Sequence, residues 1–257
     1  MFKRINYCWR VIATGLCFIL FGVGGLLLSL LVLPVQRLVI KDKKAQKATA
    51  RKTVHYTFKF FIAFMQFVGI FNFNLQQAQQ LKSLNGQLVM ANHPSLIDVV
   101  VLISLIPNAD CVVKTHLFNN VFLRGVVSNT GYISNADPAG LLVDCEASLK
   151  AGNNLIIFPQ GTRTKPDEGL QFQRGAANIA IRCQAQVTAV LLKVEPSTLT
   201  KNLPWYRIPH TKAHFSAMVV DHSLTLPENK ASQTSKDVRQ YNRDLEFFFR
   251  EELGKYG

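Results

Sequence analysis

The chain has 257 residues, of which 29 are Lys or Arg, 16 are Asp or Glu and 48% are hydrophobic, and its formal net charge is +13. This length is enough for one core of ordinary size and argues against two full domains. A basic, apolar composition suits an anionic lipid surface, and the sequence contains no zinc-finger spacing, RNA-binding aromatic signature or Walker loop. We therefore expect the lipid bilayer as a partner and no nucleic acid.

The amino-terminal segment is long and apolar enough to enter a membrane. Val11 to Pro34 contains no charged residue and is long enough, as a helix, to cross a hydrocarbon core of about 30 Å. The run is too long for a signal peptide, and no small-residue cleavage site comes after it. A cationic stretch from Arg37 to Lys52 outnumbers the cations before the segment, which favours the cytoplasmic side of the cell inner membrane for the rest of the chain. A single crossing and a helical pair embedded in one leaflet are both compatible with this pattern.

A second apolar stretch, Tyr56 to Phe73, is rich in Phe and is interrupted by Lys59 and Gln66. Because polar residues interrupt it, we expect an interfacial or buried helix rather than a second span. The sequence therefore predicts a membrane-anchoring helical region at residues 1–75 and a second folded unit at residues 76–257.

From about residue 80, short apolar runs alternate with candidate helices, which predicts an α/β fold with a mixed, largely buried sheet flanked by helices. The predicted strands are Leu88–Ala91, Cys111–Val113, Leu155–Phe158, Val187–Val194 and Ala213–Val220. The predicted helices are Leu96–Ile106, Asn119–Val127, Ala139–Ala151 and Ala176–Arg182. A closing amphipathic helix is predicted over Ser232 to Leu253, and its apolar face comprises Val238, Tyr241, Leu245, Phe248 and Leu253.

The pair most informative about chemistry is His93 and Asp98, in the sequence Asn-His-Pro-Ser-Leu-Ile-Asp that starts at Asn92. It lies between a predicted strand and a predicted helix, and Pro94 suits the first helical turn because its missing N–H would be unpaired there. His93 should project from the carboxyl end of the strand, with Asp98 about one helical turn further on. A carboxylate placed there can hold one imidazole nitrogen while the other faces a substrate, as a general base requires. Taken alone, such a pair is more often a helix-capping or core hydrogen bond than a catalytic dyad.

A second block comes directly after the predicted strand Leu155–Phe158 and reads Pro-Gln-Gly-Thr-Arg-Thr from Pro159 to Thr164. Gly161 lets backbone amides approach a ligand closely, the two threonines supply hydroxyls, and Arg163 offers a planar fork for phosphate or carboxylate. An ordinary Pro-Gly turn with a solvated arginine would have the same sequence, so the block is informative mainly in combination with the first.

Together, the two blocks and their separation resemble the glycerolipid acyltransferases, specifically a divergent bacterial branch of the 1-acylglycerol-3-phosphate (lysophospholipid) acyltransferase family. That family carries His-x4-Asp and, further along the chain, Phe-Pro-Glu-Gly-Thr-Arg. The resemblance covers roughly Leu88 to Val194. It implies that residues 76–257 form an acyltransferase catalytic domain that works in phospholipid biosynthesis.

Three positions depart from the family pattern. Gln160 stands where the family has glutamate, Asn135 where its second block usually ends in arginine, and Thr188 where its fourth block has a proline. Gln160 keeps hydrogen-bonding capacity and loses the charge, while Asn135 removes a phosphate-binding cation. We therefore expect the chemistry to be retained and the recognition of the acceptor's polar head to be altered.

The resemblance implies direct acyl transfer, with His93 as general base and Asp98 orienting it and stabilising the imidazolium. A hydroxyl of a lysophospholipid or related glycerolipid would attack the thioester of acyl-CoA or acyl carrier protein. Backbone amides near Gly161 would stabilise the oxyanion. The expected substrate-binding residues are Gln160, Gly161, Thr162, Arg163 and Lys114. No metal and no organic cofactor is required.

Other functions stay open at this point. Hydrolysis would replace the acceptor with water, but no Gly-x-Ser-x-Gly elbow is present for a serine nucleophile. A membrane-anchored scaffold, or an enzyme that acylates a non-phosphatidate acceptor, would account for the departures at Asn135, Gln160 and Thr188. The five scattered cysteines are expected to be reduced, buried thiols. A cysteine nucleophile is disfavoured, because no Cys lies beside a His in the sequence and the His-x4-Asp block already offers a base. His210 and His214 lie in a predicted loop that enters a strand, and further metal ligands are missing.

Overall fold

The computed structural model describes residues 2–164, 169–220, 226 and 234–256. The strands are β1 (Phe71–Asn74), β2 (Leu88–Ala91), β3 (Ala109–Val113), β4 (Ile133–Ser134), β5 (Asn154–Ile157), β6 (Val187–Glu195) and β7 (Ala213–Val219). Within the described residues they form one seven-stranded sheet in the order β1-β7-β6-β2-β5-β3-β4. Neighbouring strands are parallel except β6 and β7, which are antiparallel, so the predicted mixed α/β sheet is confirmed.

Helices cover both faces of this sheet. They are α1 (Phe2–Leu27), α2 (Leu33–Val39), α3 (Lys43–Phe67), α4 (Asp98–Leu105), α5 (Arg124–Thr130), α6 (Pro138–Lys150), α7 (Arg174–Arg182) and α8 (Ser235–Lys255). A π-helical turn, Leu28–Val32, joins α1 to α2, and 3-10 turns occupy Gln76–Ser83 and Thr115–Asn119. Every residue of β2 is fully buried, because one core cluster covers one face of the strand and a second cluster covers the other. A strand buried on both faces reads as a continuous apolar run, which is why β2 was predicted with its correct bounds.

Several helix predictions need correction. The first part of Asn119–Val127 is not α-helical: a 3-10 turn ends at Asn119 and α5 begins at Arg124. The stretch Tyr56–Phe73 is the end of a longer helix, since α3 begins in the cationic stretch, where the Asp42 carboxylate accepts the N–H of Ala45. Its last residues enter β1, which pairs with β7 and lies just before residue 75.

The closing helix also differs in detail. Ser232 lies outside the described residues, and α8 begins at Ser235, where Thr234 caps the first turn. Its buried face continues from Leu245 to Phe249, one helical turn further on, rather than to the predicted Phe248. Phe249 is fully buried, whereas Phe248 packs only partly against the same cluster.

Arg51 was expected in the interfacial cationic stretch and is instead buried. Its Nη2 lies 2.9 Å from Asp110 Oδ2, and its Nε donates to the Thr130 carbonyl at 3.0 Å. Ser148 donates to the same Asp110 oxygen at 2.7 Å. Burial raises the pKa of the Asp110 carboxyl, against the opposing charge of Arg51 and the hydrogen bond from Ser148. This ion pair joins α3 to the first residues of β3.

The amino-terminal helical segment is continuous from Phe2 to Val39. Within the described part of the chain, it is the one helix that is long and apolar enough, by length and composition, to cross a membrane, and an 18-residue window within it has a mean hydropathy of 2.7. One face packs on the sheet domain along its length. Arg10 donates to the carbonyls of His210 and Thr211, and an added Cβ on Gly25 would lie 2.7 Å from the Phe122 carbonyl oxygen.

The opposite face of this segment is exposed and apolar. Most of its large exposed residues recur every three or four positions, the spacing of one helix face. They are Phe2, Ile5, Trp9, Ile12, Leu16, Ile19, Val23, Leu27, Leu30, Leu31, Val32, Val35, Leu38 and Val39. We call this surface the apolar stripe.

Candidate active site

The carboxyl end of β2 leads directly into the first predicted motif. The side-chain amide of Asn92 donates to the Leu192 carbonyl at 2.8 Å and accepts the Leu192 N–H at 2.7 Å. These two bonds extend the pairing of β2 with β6 by one step through a side chain. They fix the point at which the chain leaves the sheet, so His93 starts from a rigid backbone.

His93 and Asp98 meet as predicted. Asp98 is the first residue of α4 and is fully buried, and its Oδ2 lies 2.7 Å from His93 Nδ1. The same oxygen accepts the N–H of Ser95 at 2.7 Å. Because an ionised carboxylate can only accept, Nδ1 carries the hydrogen and Nε2 is left as an acceptor. The His93 side chain is 17% exposed, so the imidazole is accessible from outside while its partner is not.

The Asp98 carboxylate is poorly solvated. Burial raises its pKa above the ordinary value of 3.8, while the hydrogen bond and charge of His93, the N–H of Ser95 and the charge of Arg163 oppose that shift. Within the described residues, its Oδ1 is buried without a hydrogen-bond partner. A buried carboxylate with few donors gains when a positive charge forms beside it, so this arrangement favours an imidazolium at His93.

Phe158 orients the imidazole from the other side. Its ring stacks on that of His93, with centroids 4.1 Å apart and planes inclined by 20°. Phe158 comes directly after the last residue of β5, the strand beside β2. We did not predict this contact, and the available signal was the position of Phe158 directly before the second block.

Gln160 joins the two blocks. Its Oε1 accepts the backbone N–H of His93 at 2.7 Å, and its Nε2 donates to Thr164 Oγ1 at 2.8 Å. Thr164 in turn donates its N–H to the His93 carbonyl at 2.7 Å. Gln160 is buried, and both of its polar atoms are used inside the protein. It therefore acts on His93 by holding the backbone.

Gly161 and Thr162 form a tight turn at the carboxyl end of β5. Gly161 has a φ of +65°, a conformation that favours glycine, and its N–H donates to the Phe158 carbonyl at 2.9 Å. That amide is occupied and does not face the site. The next two amides, of Thr162 and Arg163, donate to no acceptor among the described residues. They are the candidates that remain for stabilising an oxyanion.

Arg163 is hydrogen-bonded to the loop that follows β6. Its Nη1 donates to the Leu199 carbonyl at 2.8 Å and the Thr200 carbonyl at 3.1 Å. Burial lowers the pKa of Arg163, and the charge of Asp98 opposes that effect. The same loop accepts the Ser95 hydroxyl through the Thr198 carbonyl at 3.1 Å, so Ser95 is buried and engaged rather than placed as a nucleophile. Sequence reasoning missed this loop, because backbone carbonyls carry no side-chain signal.

Comparison with known proteins assigns this arrangement to a family. Residues 72–193, which contain both blocks, match the family model described as Acyltransferase. These residues form an acyltransferase domain. The resemblance predicted from the two motifs is therefore confirmed.

Curated relatives match the same part of the chain, and a solved structure has the same fold. A 1-acyl-sn-glycerol-3-phosphate acyltransferase of Helicobacter pylori is 33% identical over 125 residues, 46% of this chain and 50% of that protein. The enzyme of that name from Cocos nucifera is 26% identical over 178 residues, 57% of this chain and 56% of that protein. The chain thus spans about half the length of these relatives. The crystal structure of the 1-acyl-sn-glycerophosphate acyltransferase PlsC from Thermotoga maritima has the same fold, with a TM-score of 0.65, 17% identity and 98% of each chain covered.

Lys114 and Asn135 lie along the same edge of the acyltransferase domain. The registers of β2 with β5 and of β5 with β3 place Lys114 at the same level as Asn92 along the strands. The two residues are two strands apart, which is about 10 Å across the sheet. Asn135 comes directly after β4, beside Lys114, and its Oδ1 accepts the N–H of Thr115 at 3.1 Å. The Lys114 side chain is exposed. Both residues therefore flank His93 rather than contact it.

The cysteines of the acyltransferase domain are unsuited to nucleophilic chemistry. Burial raises the pKa of Cys145 to about 12 and that of Cys183 to about 11, and it raises the pKa of Cys111 further. Such thiols carry almost no thiolate at neutral pH. Cys8 is exposed, which corrects the expectation that all five cysteines are buried. In the part of the chain that the structure describes, no three His, Cys, Asp or Glu side chains come together as a metal site.

Proposed function

We propose that this protein is a membrane-bound acyltransferase. It would transfer a fatty acyl group from the thioester of acyl-CoA or acyl carrier protein to a hydroxyl of a lysophospholipid or related glycerolipid. The observation that carries the proposal is the bond between His93 Nδ1 and the buried Asp98, at the carboxyl edge of an acyltransferase domain. Relatives named 1-acyl-sn-glycerol-3-phosphate acyltransferase support a lysophospholipid-type acceptor.

The reaction uses the atoms that remain available. Nε2 of His93 takes the proton of the acceptor hydroxyl as its oxygen attacks the thioester carbonyl carbon. Asp98 stabilises the imidazolium that forms, and the amides of Thr162 and Arg163 stabilise the oxyanion. When the carbon–sulfur bond breaks, the proton passes from His93 to the leaving thiolate. The products are the acylated lipid and the free thiol of the donor, and this sequence of steps requires no metal or organic cofactor.

Recognition of the acceptor would fall to Arg163 and Lys114. Arg163 uses Nη1 for the loop carbonyls, and its other N–H groups donate to no described residue, so they can pair with a phosphate. Gln160 bears on positioning, since a glutamate there would accept the same His93 N–H. The altered-acceptor hypothesis therefore rests on Asn135, which brings no charge to the edge beside Lys114. This observation supports a second candidate function, acylation of a non-phosphatidate acceptor.

The helical segment Phe2–Val39 would lie along one leaflet on the cytoplasmic side of the cell inner membrane. At 1.5 Å per residue it is about 57 Å long, nearly twice the hydrocarbon core of about 30 Å. The segment contacts the sheet domain at Arg10, near its start, and again at Gly25, beyond its middle. Because the domain lies against this length of helix, a crossing orientation would carry the domain into the bilayer. An in-plane orientation instead buries the apolar stripe in lipid and leaves the opposite face on the domain.

The decisive experiment compares His93→Ala with His214→Ala, a matched change at an exposed histidine on β7. Initial rates of acyl transfer from acyl-CoA to lysophosphatidic acid are measured with full-length protein in detergent micelles. We expect the first variant to lose about 10²–10⁴-fold in rate, as general-base loss does, and the second to stay near wild type. Both should unfold at the wild-type temperature. Near-normal turnover by His93→Ala would refute the mechanism and favour a scaffold.

A further inference from the structure

A polar cavity lies away from His93, where α2, α3 and α5 meet. Its volume is about 210 Å³. Its polar lining comes from Gln36, Arg37, Lys43, Gln46, Lys47, Ser128 and Asn129. We call it the head-group pocket. It is smaller than the pockets that hold whole drug-sized ligands, so it suits a small polar group.

The head-group pocket is lined by three cations and no acid. Arg37 comes from α2, while Lys43 and Lys47 come from one face of α3, a single turn apart. Two like charges at this spacing repel each other in a helix. Across residues 2–164, 169–220 and 234–256, the charged groups of these three side chains form no ion pair or hydrogen bond that would offset the repulsion.

Most neighbouring groups are already engaged, although Gln36 Oε1 accepts from no described group. The Asp42 carboxylate caps α3 at Ala45, and Asp110 is paired with Arg51. Burial raises the pKa of Asp110, and the charge of Lys47 is among the effects that oppose that shift. The amides of the two lining glutamines donate to Thr53 and to carbonyls at the end of α2. These groups line or surround the cavity without neutralising its three cations, so the cavity has an excess of positive charge.

The position of the pocket separates it from the acyl-transfer site. Ser128 and Asn129 lie at the end of α5, from which the chain enters the amino end of β4. Arg51 contacts both the Thr130 carbonyl and Asn108, the residue just before β3. The pocket therefore lies at the amino edge of the parallel strands, whereas His93 lies at the carboxyl edge. On its outer side α2 exposes Val35, Leu38 and Val39, the end of the apolar stripe.

We propose that the head-group pocket binds the phosphoryl head group of an anionic membrane lipid. With the stripe buried in one leaflet, the cations of α2 and α3 lie at the level of the lipid phosphates, where Lys and Arg are attracted to anionic surfaces. A lipid bound here would hold the end of the helical segment in the interface while the other edge of the sheet takes substrate. The inference rests on the proposed membrane placement and is independent of acyl transfer.

The test uses full-length protein and vesicles of phosphatidylcholine with and without phosphatidate. The pocket variant, Lys43→Gln/Lys47→Gln, is compared with Lys41→Gln/Lys52→Gln, which removes the same charge from exposed positions outside the pocket. We expect the pocket variant to lose about thirtyfold in affinity for phosphatidate vesicles, a factor of five to six per cation, and the control less than about threefold. Both should keep wild-type affinity for phosphatidylcholine and wild-type acyl transfer in detergent micelles.

Equal losses in the two variants would overturn the proposal, since diffuse surface charge would then explain the attraction. Inorganic phosphate is the second probe, titrated against the wild type by thermal shift. If it binds as tightly as phosphatidate vesicles, the ligand is free phosphate and the lipid assignment is wrong. Failure of the wild type to bind phosphatidylcholine would overturn the membrane placement and the head-group assignment with it. A wild type that binds lipid but transfers no acyl group would instead contradict the proposed enzymatic function alone.

Discussion

Asp98→Asn separates catalysis from folding at the site. Asparagine keeps the shape of the side chain, and its carbonyl oxygen can accept the Ser95 N–H as Asp98 does at 2.7 Å. It carries no charge to stabilise an imidazolium at His93, and its amide can impose the wrong imidazole tautomer. We expect kcat for acyl transfer to fall about 10²–10⁴-fold, which corresponds to about 3–5 kcal/mol of barrier.

The free energy of unfolding should change much less. Asp98 is fully buried and its Oδ1 has no described partner, so the ionised carboxylate destabilises the folded state. Asparagine removes this destabilisation, which amounts to about 1.4 kcal/mol for each unit by which the pKa is raised. The new amide is itself left without a partner there, at a cost of about 1–3 kcal/mol. Because the two effects oppose each other, we expect a net change within about 2 kcal/mol.

The difference in stability between the wild type and Asp98→Asn should depend on pH in a definite direction. The folded pKa of Asp98 lies above its unfolded value of 3.8, so the native state binds more protons. The contribution of this group to wild-type stability is therefore lost as pH rises from 3.8 through the folded pKa, whereas asparagine does not titrate. Across that pH window, the unfolding temperature of the variant should rise relative to that of the wild type as pH increases. A pH-independent difference, or an activity loss no larger than the loss of folded protein, would refute this reasoning and leave Asp98 a structural cap.

Three further outcomes are expected. Arg51→Met leaves Asp110 buried without its cation and should lower the free energy of unfolding by about 3–5 kcal/mol at neutral pH, and by less near pH 3.8. A second change, Asp110→Asn, should restore much of the lost stability. Urea denaturation measures both effects, and a loss under about 1 kcal/mol in Arg51→Met would contradict the pairing. Asn135→Arg should raise the ratio of rates on lysophosphatidic acid and a zwitterionic acceptor by about five- to tenfold, and a wild type that already strongly prefers lysophosphatidic acid would remove the altered-acceptor hypothesis. Full-length protein should stay in the membrane pellet at high salt, because burial of the apolar stripe is not screened; release by salt alone would mean that cations hold it.

The sequence was informative where structure is local. Strand β2 was predicted with its observed bounds, because a run of buried apolar residues is written directly in the chain. The dyad was predicted for the same reason, since His93 and Asp98 are separated only by a turn and the start of a helix. The prediction for the cationic stretch failed in one respect: Arg51 was placed at the interface with the lysines, but it lies on the buried inner face of a capped helix that begins at Lys43.

The chain by itself therefore determined the element types, the two motifs and the family that they resemble. The tertiary structure alone decided which of these segments meet. Gln160 bonds to the backbone of His93 across 67 positions, because β5 is placed beside β2. Arg163 holds the carbonyl of Leu199 across 36 positions, through a group that is identical in every residue. Periodicity and residue type record local burial, whereas strand order and backbone contacts depend on how the whole chain packs, so only the folded structure shows what holds His93 in position.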